Sequence, residues 1–251
     1  MGQKLSLLTY NIHKGFSVAK IRFMLPSMRA AIEKLNPDFV FLQEVQGQHT
    51  RHQKRISDWP QESQFEFIAE ALWPHYAYGK NAVYQSGHHG NAILSKHPIA
   101  NHENIKLTKV SRASRSLLHA SISLESAQSL HLLCIHLGLF KAERQEQVQT
   151  IIERVKQHIP EQGPLLMAGD FNDWRKDIDT MFEAELSITE AYKEATGEHA
   201  KTFPALKPTL SIDRIYYRGM TLEDIHCLDG KPWRLLSDHL PLYARFRLES
   251  N

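Results

Sequence analysis

Apolar residues in this chain gather into short runs that repeatedly stop at polar groups. Leu5–Tyr10 reads as a strand ending at Asn11 and His13. The next pattern is helical: Met28, Ala31, Ile32 and Leu35 form an apolar stripe, Pro26 falls in the first turn, and Asn36-Pro37 stops it. Proline suits that turn because the amide there has no intrahelical partner. Phe39–Leu42 then reads as a buried strand running into Gln43 and Glu44. Residues 131–170 repeat the design. Leu132–Ile135 is a strand ending at His136, and the helix 141–159 carries Val148, Ile151, Ile152, Val155 and Ile159 on one face. Leu165–Ala168 is a strand ending at Gly169-Asp170. Asn11 and Glu44 are 33 residues apart, His136 and Asp170 34, so two βαβ units of matching length set polar groups at strand ends. In layered α/β folds ligands gather at that edge, where side chains are held firmly yet face solvent.

Further strands are expected at Tyr76–Tyr84, Asn91–Ser95, Leu117–Leu124, Ile212–Tyr217 and Leu240–Leu248. The last alternates Leu242, Ala244, Phe246 and Leu248, the period of a half-covered strand. No Gly/Ser- or Pro-rich linker divides the chain. The expectation is one domain over residues 1–251, an α/β fold of two mixed β-sheets face to face with helices outside.

Composition narrows the chemistry more than the fold. With 42% hydrophobic and 23% charged residues, the chain lies in the ordinary globular range, which excludes collagen-like and disordered classes. A formal charge of +2 is too small to require a polyanionic partner, although residues 1–60 hold nine basic and four acidic side chains. Two cysteines, Cys134 and Cys227, make neither a disulfide framework nor a zinc cluster. Cys134 sits in an apolar run and is expected to be a small buried hydrophobe. No segment approaches a membrane-spanning length and the start lacks a signal-peptide apolar stretch, so a cytoplasmic location is expected. The start also fits a loose N-myristoylation pattern, one that arises easily by chance.

Five polar clusters interrupt apolar runs where a core would want none. They are Thr9-Tyr10-Asn11, Leu42-Gln43-Glu44, His136-Leu137-Gly138, Gly169-Asp170-Phe171-Asn172-Asp173 and Ser237-Asp238-His239; Asp213 makes a sixth. A single carboxylate at a strand end is more often a helix cap or a surface group. Together, however, the clusters offer carboxylates and amide oxygens without paired thiolates, the donor set of a hard cation such as Mg²⁺ or Mn²⁺ rather than Zn²⁺.

The stretches TYNIHKG (9–15), LQEV (42–45), GNAILSKHPI (90–99), HLGLF (136–140), GDFND (169–173), SIDRIYY (211–217) and SDHLPL (237–242) make the chain recognisable. In this order it resembles the endonuclease/exonuclease/phosphatase superfamily, which includes DNase I, exonuclease III-type abasic-site endonucleases, neutral sphingomyelinases and inositol polyphosphate 5-phosphatases. The wording is most like a short bacterial subgroup. The resemblance implies a DNase I-like four-layer α/β/β/α sandwich and a Mg²⁺-dependent phosphoric ester hydrolase. It implies that Glu44 is the principal metal ligand, with Asn11 beside it and Asp238 facing the same pocket. Asp170 resembles the group that orients or deprotonates the attacking water, and Asn172 the amide that steadies it. His239 resembles the imidazole on the scissile phosphate, Asp213 the group that fixes its tautomer, and His136 the candidate acid for the leaving oxygen. These residue types suit the chemistry, because a phosphodiester's negative charge repels hydroxide until cations and donors neutralise it.

Secondary candidates are substrate contacts from Arg115 and Asn91. His13 and His88-His89 are expected to be solvated loop histidines, Trp174 to pack or else to wall the pocket, and Asp173, Asp177 and Asp179 to lie in a solvated loop. A long loop at about 46–63, with Arg51, His52, Lys54, Arg55 and Trp59, is compatible with a nucleic-acid backbone. His13 occupies the place where exonuclease III-type enzymes carry an acidic residue, which counts against abasic-site repair. The leading expectation is a phosphodiesterase with nuclease activity on DNA or RNA. A lipid or small-molecule phosphoesterase with peripheral membrane contact is the second reading, and an idle binding module on the same fold the third.

Overall fold

In the computed structural model, which describes residues 2–18, 22–70, 72–108, 114–123 and 129–248, strand β1 (Gln3–Asn11) leads through helix α1 (Leu25–Leu35) to the parallel strand β2 (Phe39–His49). Asn36 ends α1 in a left-handed conformation (φ 52°). Helices α2 (Thr50–Arg55) and α3 (Gln64–Ala69) precede the hairpin β3 (His75–Tyr84) and β4 (Gly87–Ser95). The second half opens with β5 (Ile99–Lys106), β6 (Ser116–Ser123) and β7 (Ser129–His136). Helix α4 (Lys141–His158) then crosses over to β8 (Leu165–Asp170), parallel to β7. Helix α5 (Asp179–Leu186), strand β9 (Thr189–Glu190), helix α6 (Ala191–Thr196) and strands β10 (Asp213–Arg218) and β11 (Thr221–Cys227) follow. Helix α7 (Trp233–Leu236) and strand β12 (Leu242–Leu248) complete the described chain. One sheet has the order β11-β12-β1-β2-β4-β3, the other β5-β6-β7-β8-β10-β9.

Alternation along the strands sorts side chains into layers. Leu5 and Leu7 of β1, Phe39 and Phe41 of β2, Leu132 and Cys134 of β7, and Leu166 and Ala168 of β8 meet between the sheets. The opposite parity faces helices. Leu8, Val40 and Leu42 pack with α1, α3 and α7, while Leu133, Ile135, Leu165 and Met167 pack with α4 and α5. Both faces of the central strands are thus covered, which is why their sequences read as continuous apolar runs. The result is the expected four-layer sandwich. Cys134 is buried in it as anticipated, and no described helix is long and apolar enough to cross a membrane.

Two expectations change. The stretch 46–63 is not a long loop: β2 continues to His49, α2 follows at once, and Trp59 is buried with its ring stacked on His52 and Phe23. His88 and His89 lie on strand β4 rather than in a loop. Strand β5 has no apolar signature because it is a sheet edge with mostly exposed side chains. The last residue of the expected strand Leu117–Leu124, Leu124, lies outside the described residues.

Candidate active site

Parity also builds the site. Asn11, His136, Asp170 and Asp213 continue the inward-facing series of their strands, at the end where the apolar residues run out. Register brings them together, since His136 is the β-ladder partner of Asp170, and Asp170 that of Asp213. Glu44 has the wrong parity for a regular strand, because Leu42 already faces the helices. A bulge corrects this. Glu44 adopts φ 56°, the β2–β4 register slips between Leu42 and Val45, and Val45 takes the helix-facing side instead. Gly169 (φ 147°) lets β8 approach β7 just before Asp170; a Cβ there would lie 1.9 Å from the Ile135 carbonyl oxygen.

Asp170 is the hub. Its Oδ2 accepts a hydrogen bond from Asn11 Nδ2 (3.1 Å) and lies 3.5 Å from His136 Nε2 and 3.8 Å from His239 Nε2. Its Oδ1 accepts from the Asn172 amide (3.0 Å), and Asn172 Nδ2 donates to the Leu137 carbonyl (2.9 Å), which ties the two loops together. His239 Nδ1 bonds Asp213 Oδ2 at 2.9 Å, and Thr202 Oγ1 donates to the same oxygen at 2.6 Å. Burial drives the Asp170 carboxyl up to about 7; His239 opposes that rise and Asp213 adds to it. For His239, burial alone would favour the neutral ring, but Asp213, Asp170 and Asp238 outweigh it and raise the imidazole to about 10. At His136 the Glu44 carboxylate pulls the same way but does not prevail. Burial, reinforced by Arg115, holds it well below an ordinary histidine.

Glu44 and Asp238 lie on the more open side. Lys14 Nζ is 3.5 Å from Glu44 Oε2, and His13 Nδ1 is 3.4 Å from Asp238 Oδ1. Burial would raise Glu44, but positive charge in the cleft, Lys14 and His239 included, lowers its carboxyl to about 2, so it is ionised throughout the physiological range. His13 is therefore a partner of Asp238 and not a solvated loop residue. Asn11, Glu44 and Asp238 offer amide and carboxylate oxygens without a thiolate, a donor set that fits Mg²⁺ or Mn²⁺. Asp170, Asp213 and His239 also bring ligand atoms within 4.8 Å of one another, but their close contact is already spent in the His239–Asp213 hydrogen bond.

The other candidates separate. Arg115 Nε donates to the Leu137 carbonyl at 3.1 Å, at the edge of the cluster. Asn91 is fully buried; its amide donates to the Ser116 and Cys134 carbonyls and its oxygen accepts from Asn81. The bonds to Ser116 and Cys134 cross to the other sheet, so Asn91 braces the site from below. The acidic loop is largely not solvated. Asp173 and Asp179 are buried around the fully buried Arg214, whose Nη1 lies 3.2 and 2.9 Å from them, and only Asp177 is exposed. Trp174 is half packed, with its ring over the Arg144 guanidinium and the rest of it exposed. Lys14, Thr202 and Arg214 were missing from the sequence reading. A cation three places after Asn11 was the one available signal; Thr202 meets Asp213 only through tertiary folding.

A model of the endonuclease/exonuclease/phosphatase family matches residues 8–239. The uncharacterised protein YbhP of Escherichia coli (strain K12) is 41% identical over 243 residues, 96% of either chain. An endonuclease/exonuclease/phosphatase structure from Bacteroides vulgatus matches with a TM-score of 0.77 at 20% identity, covering 98% of this chain and 100% of that one. D. rerio TDP2, complexed with single strand DNA product, matches with a TM-score of 0.70 at 19% identity over 97% of this chain and 99% of that one. The ordered motifs, the layered fold and the family match agree: this chain belongs to the endonuclease/exonuclease/phosphatase family, whose members are hydrolytic phosphoesterases.

Proposed function

We propose that the chain is a divalent-metal-dependent phosphodiesterase acting on nucleic acid. The observation that carries this reading is Asp170, a buried carboxylate raised to about 7 and surrounded by Asn11, Asn172, His136 and His239. A base with that affinity for protons suits water activation near neutral pH. Asn11, Glu44 and Asp238 would hold Mg²⁺, with Mn²⁺ as a substitute, and the ion would supply positive charge against the anionic phosphate oxygens. Asp170 takes the proton of the attacking water, and the Asn11 and Asn172 contacts keep its carboxylate aimed. His239, cationic and locked by Asp213, gives a hydrogen bond or proton to phosphate oxygen. The neutral His136 steadies Asp170, so the acid role passes from His136 to His239. Lys14 and Arg115 add positive charge at the rim, which further suits a polyanionic substrate.

Purified protein assayed with Mg²⁺, Mn²⁺ or EDTA on bis-p-nitrophenyl phosphate, plasmid DNA, RNA, phospholipid and a phosphomonoester tests the reading. Turnover of diesters should require the metal and fall by about 10²- to 10⁴-fold in both Asp170→Asn and His239→Ala. Absence of turnover on every substrate, or Asp170→Asn working at wild-type rates, would remove the assignment. Lipid turnover without nucleic-acid turnover would move it to the lipid class.

A further inference from the structure

The loops that follow His136 and Asp170 both carry side chains that a protein surface ordinarily covers. Leu139 is 55% exposed, Phe140 76% and Trp174 43%. Arg144 brings the two loops together. Its Nη1 donates to the Leu139 carbonyl at 2.7 Å, its Nη2 lies 3.7 Å from Asp173 Oδ1, and its guanidinium carbon sits 5.0 Å from the centre of the Trp174 ring. Arg144 itself is buried, so one face of the indole rests on a cation held beneath it while the exposed part of the ring meets water. The sequence places Phe140 four residues after His136 and Trp174 two after Asn172. Exposed cations flank the pair. Lys141, Arg175 and Lys176 stand there against one exposed carboxylate, Asp177, 2.9 Å from Lys141.

Fixed aromatic faces with surplus positive charge match a chain that offers flat bases and anionic linkages together. In a duplex the bases are stacked on one another inside the helix, and their faces cannot reach such a surface. A membrane would need more apolar area than these three side chains provide. We propose that Phe140 and Trp174 form a stacking platform for unpaired bases of a single-stranded nucleic acid, with Lys141, Arg175 and Lys176 on its phosphates. The platform rests on the phosphodiesterase reading above, and it adds a preference for single strands and the residues that impose it.

The test uses the full-length Asp170→Asn protein with Mg²⁺ and three fluorescein-labelled probes: a DNA single strand, its duplex, and an abasic strand of the same length and charge. Anisotropy should show the base-bearing strand bound more tightly than either of the others. Adding Trp174→Ala should weaken the base-bearing strand about tenfold, since a base loses the ring it stacks on, and leave the abasic strand within about twofold. Trp174→Phe should restore most of the difference, and Phe140→Ser should repeat the loss if Trp174→Ala fails to fold. Equal losses on the base-bearing and abasic strands, duplex bound as tightly as single strand, or no strand bound at all would each overturn the platform. So would anionic phospholipid vesicles that bind more tightly than the strand and are released by Trp174→Ala. Hydrolysis of bis-p-nitrophenyl phosphate by the wild type, measured separately, shows whether the phosphodiesterase reading has failed instead.

Discussion

His136 and His239 are the same side chain in the same cleft, and their neighbours give them opposite protonation. His239 faces Asp213 at 2.9 Å and Asp170 at 3.8 Å, while His136 meets Asp170 at 3.5 Å with the Arg115 charge close by. Asp213, Asp170 and Asp238 together outweigh the burial of the His239 imidazolium, whereas at His136 the Glu44 carboxylate does not outweigh burial and the Arg115 charge. Asp213 reaches the chemistry only through the ring it holds. Its removal should therefore not add to the removal of His239: Asp213→Asn should slow diester hydrolysis by about 10²-fold or more, and Asp213→Asn/His239→Ala should be no slower than His239→Ala alone. Steady-state rates on one diester decide this. Multiplying losses would mean that Asp213 acts independently. At this scale the sequence was informative, because Asn11, Glu44, Asp170, Asn172, Asp213, Asp238 and His239 interrupt apolar runs. It misjudged Asp173, since a polar side chain satisfied deep inside looks the same in a string as one facing water.

At the scale of elements, two local departures from regular strand geometry aim the chemistry. The bulge at Glu44 turns a side chain of helix-facing parity into the cleft, and a left-handed residue is accepted there at a cost of about 1–3 kcal/mol. Gly169 does the opposite job by allowing closer approach of two strands. Gly169→Ala should destabilise the protein by about 3 kcal/mol or more, because the new methyl would overlap the Ile135 carbonyl in a central parallel pair. Urea unfolding of the purified variant reads the loss, and a midpoint equal to wild type would show that the ladder can relax around it. The central strands and the two long helices were legible from period alone. The edge strand β5 was not, since its side chains are mostly exposed, and the short helices α3, α5 and α7 bury a face but span too few turns for a period to show.

At the scale of the whole molecule, a buried ionic network stands behind the Asp170 loop. Arg214 holds Asp173 and Asp179, and His199 Nε2 lies 2.6 Å from Asp179 Oδ2 with Nδ1 3.3 Å from Glu190. Burial alone would lower His199, but its hydrogen bonds to Asp179 and Glu190 prevail and raise its pKa. A raised folded value means that protonated His199 stabilises the fold fully below its ordinary pKa of about 6.5 and loses that contribution as pH climbs through the raised value. The stability gap between wild type and His199→Gln should therefore be widest near pH 6 and narrow toward pH 9 in urea titrations; a constant gap would show that His199 is structural but not charged. None of this network is visible in the sequence, where its members are spread from Asp173 to Arg214. What the sequence determined by itself was the set of strands, their inward and outward faces, and the polar groups at their ends, because alternation and apolar runs are local properties of the chain. What the tertiary structure alone decided was which of those groups meet, which are satisfied in the interior, and which histidine carries the proton. Burial and neighbouring charge set those outcomes, and both depend on segments that touch only after the two sheets close on each other.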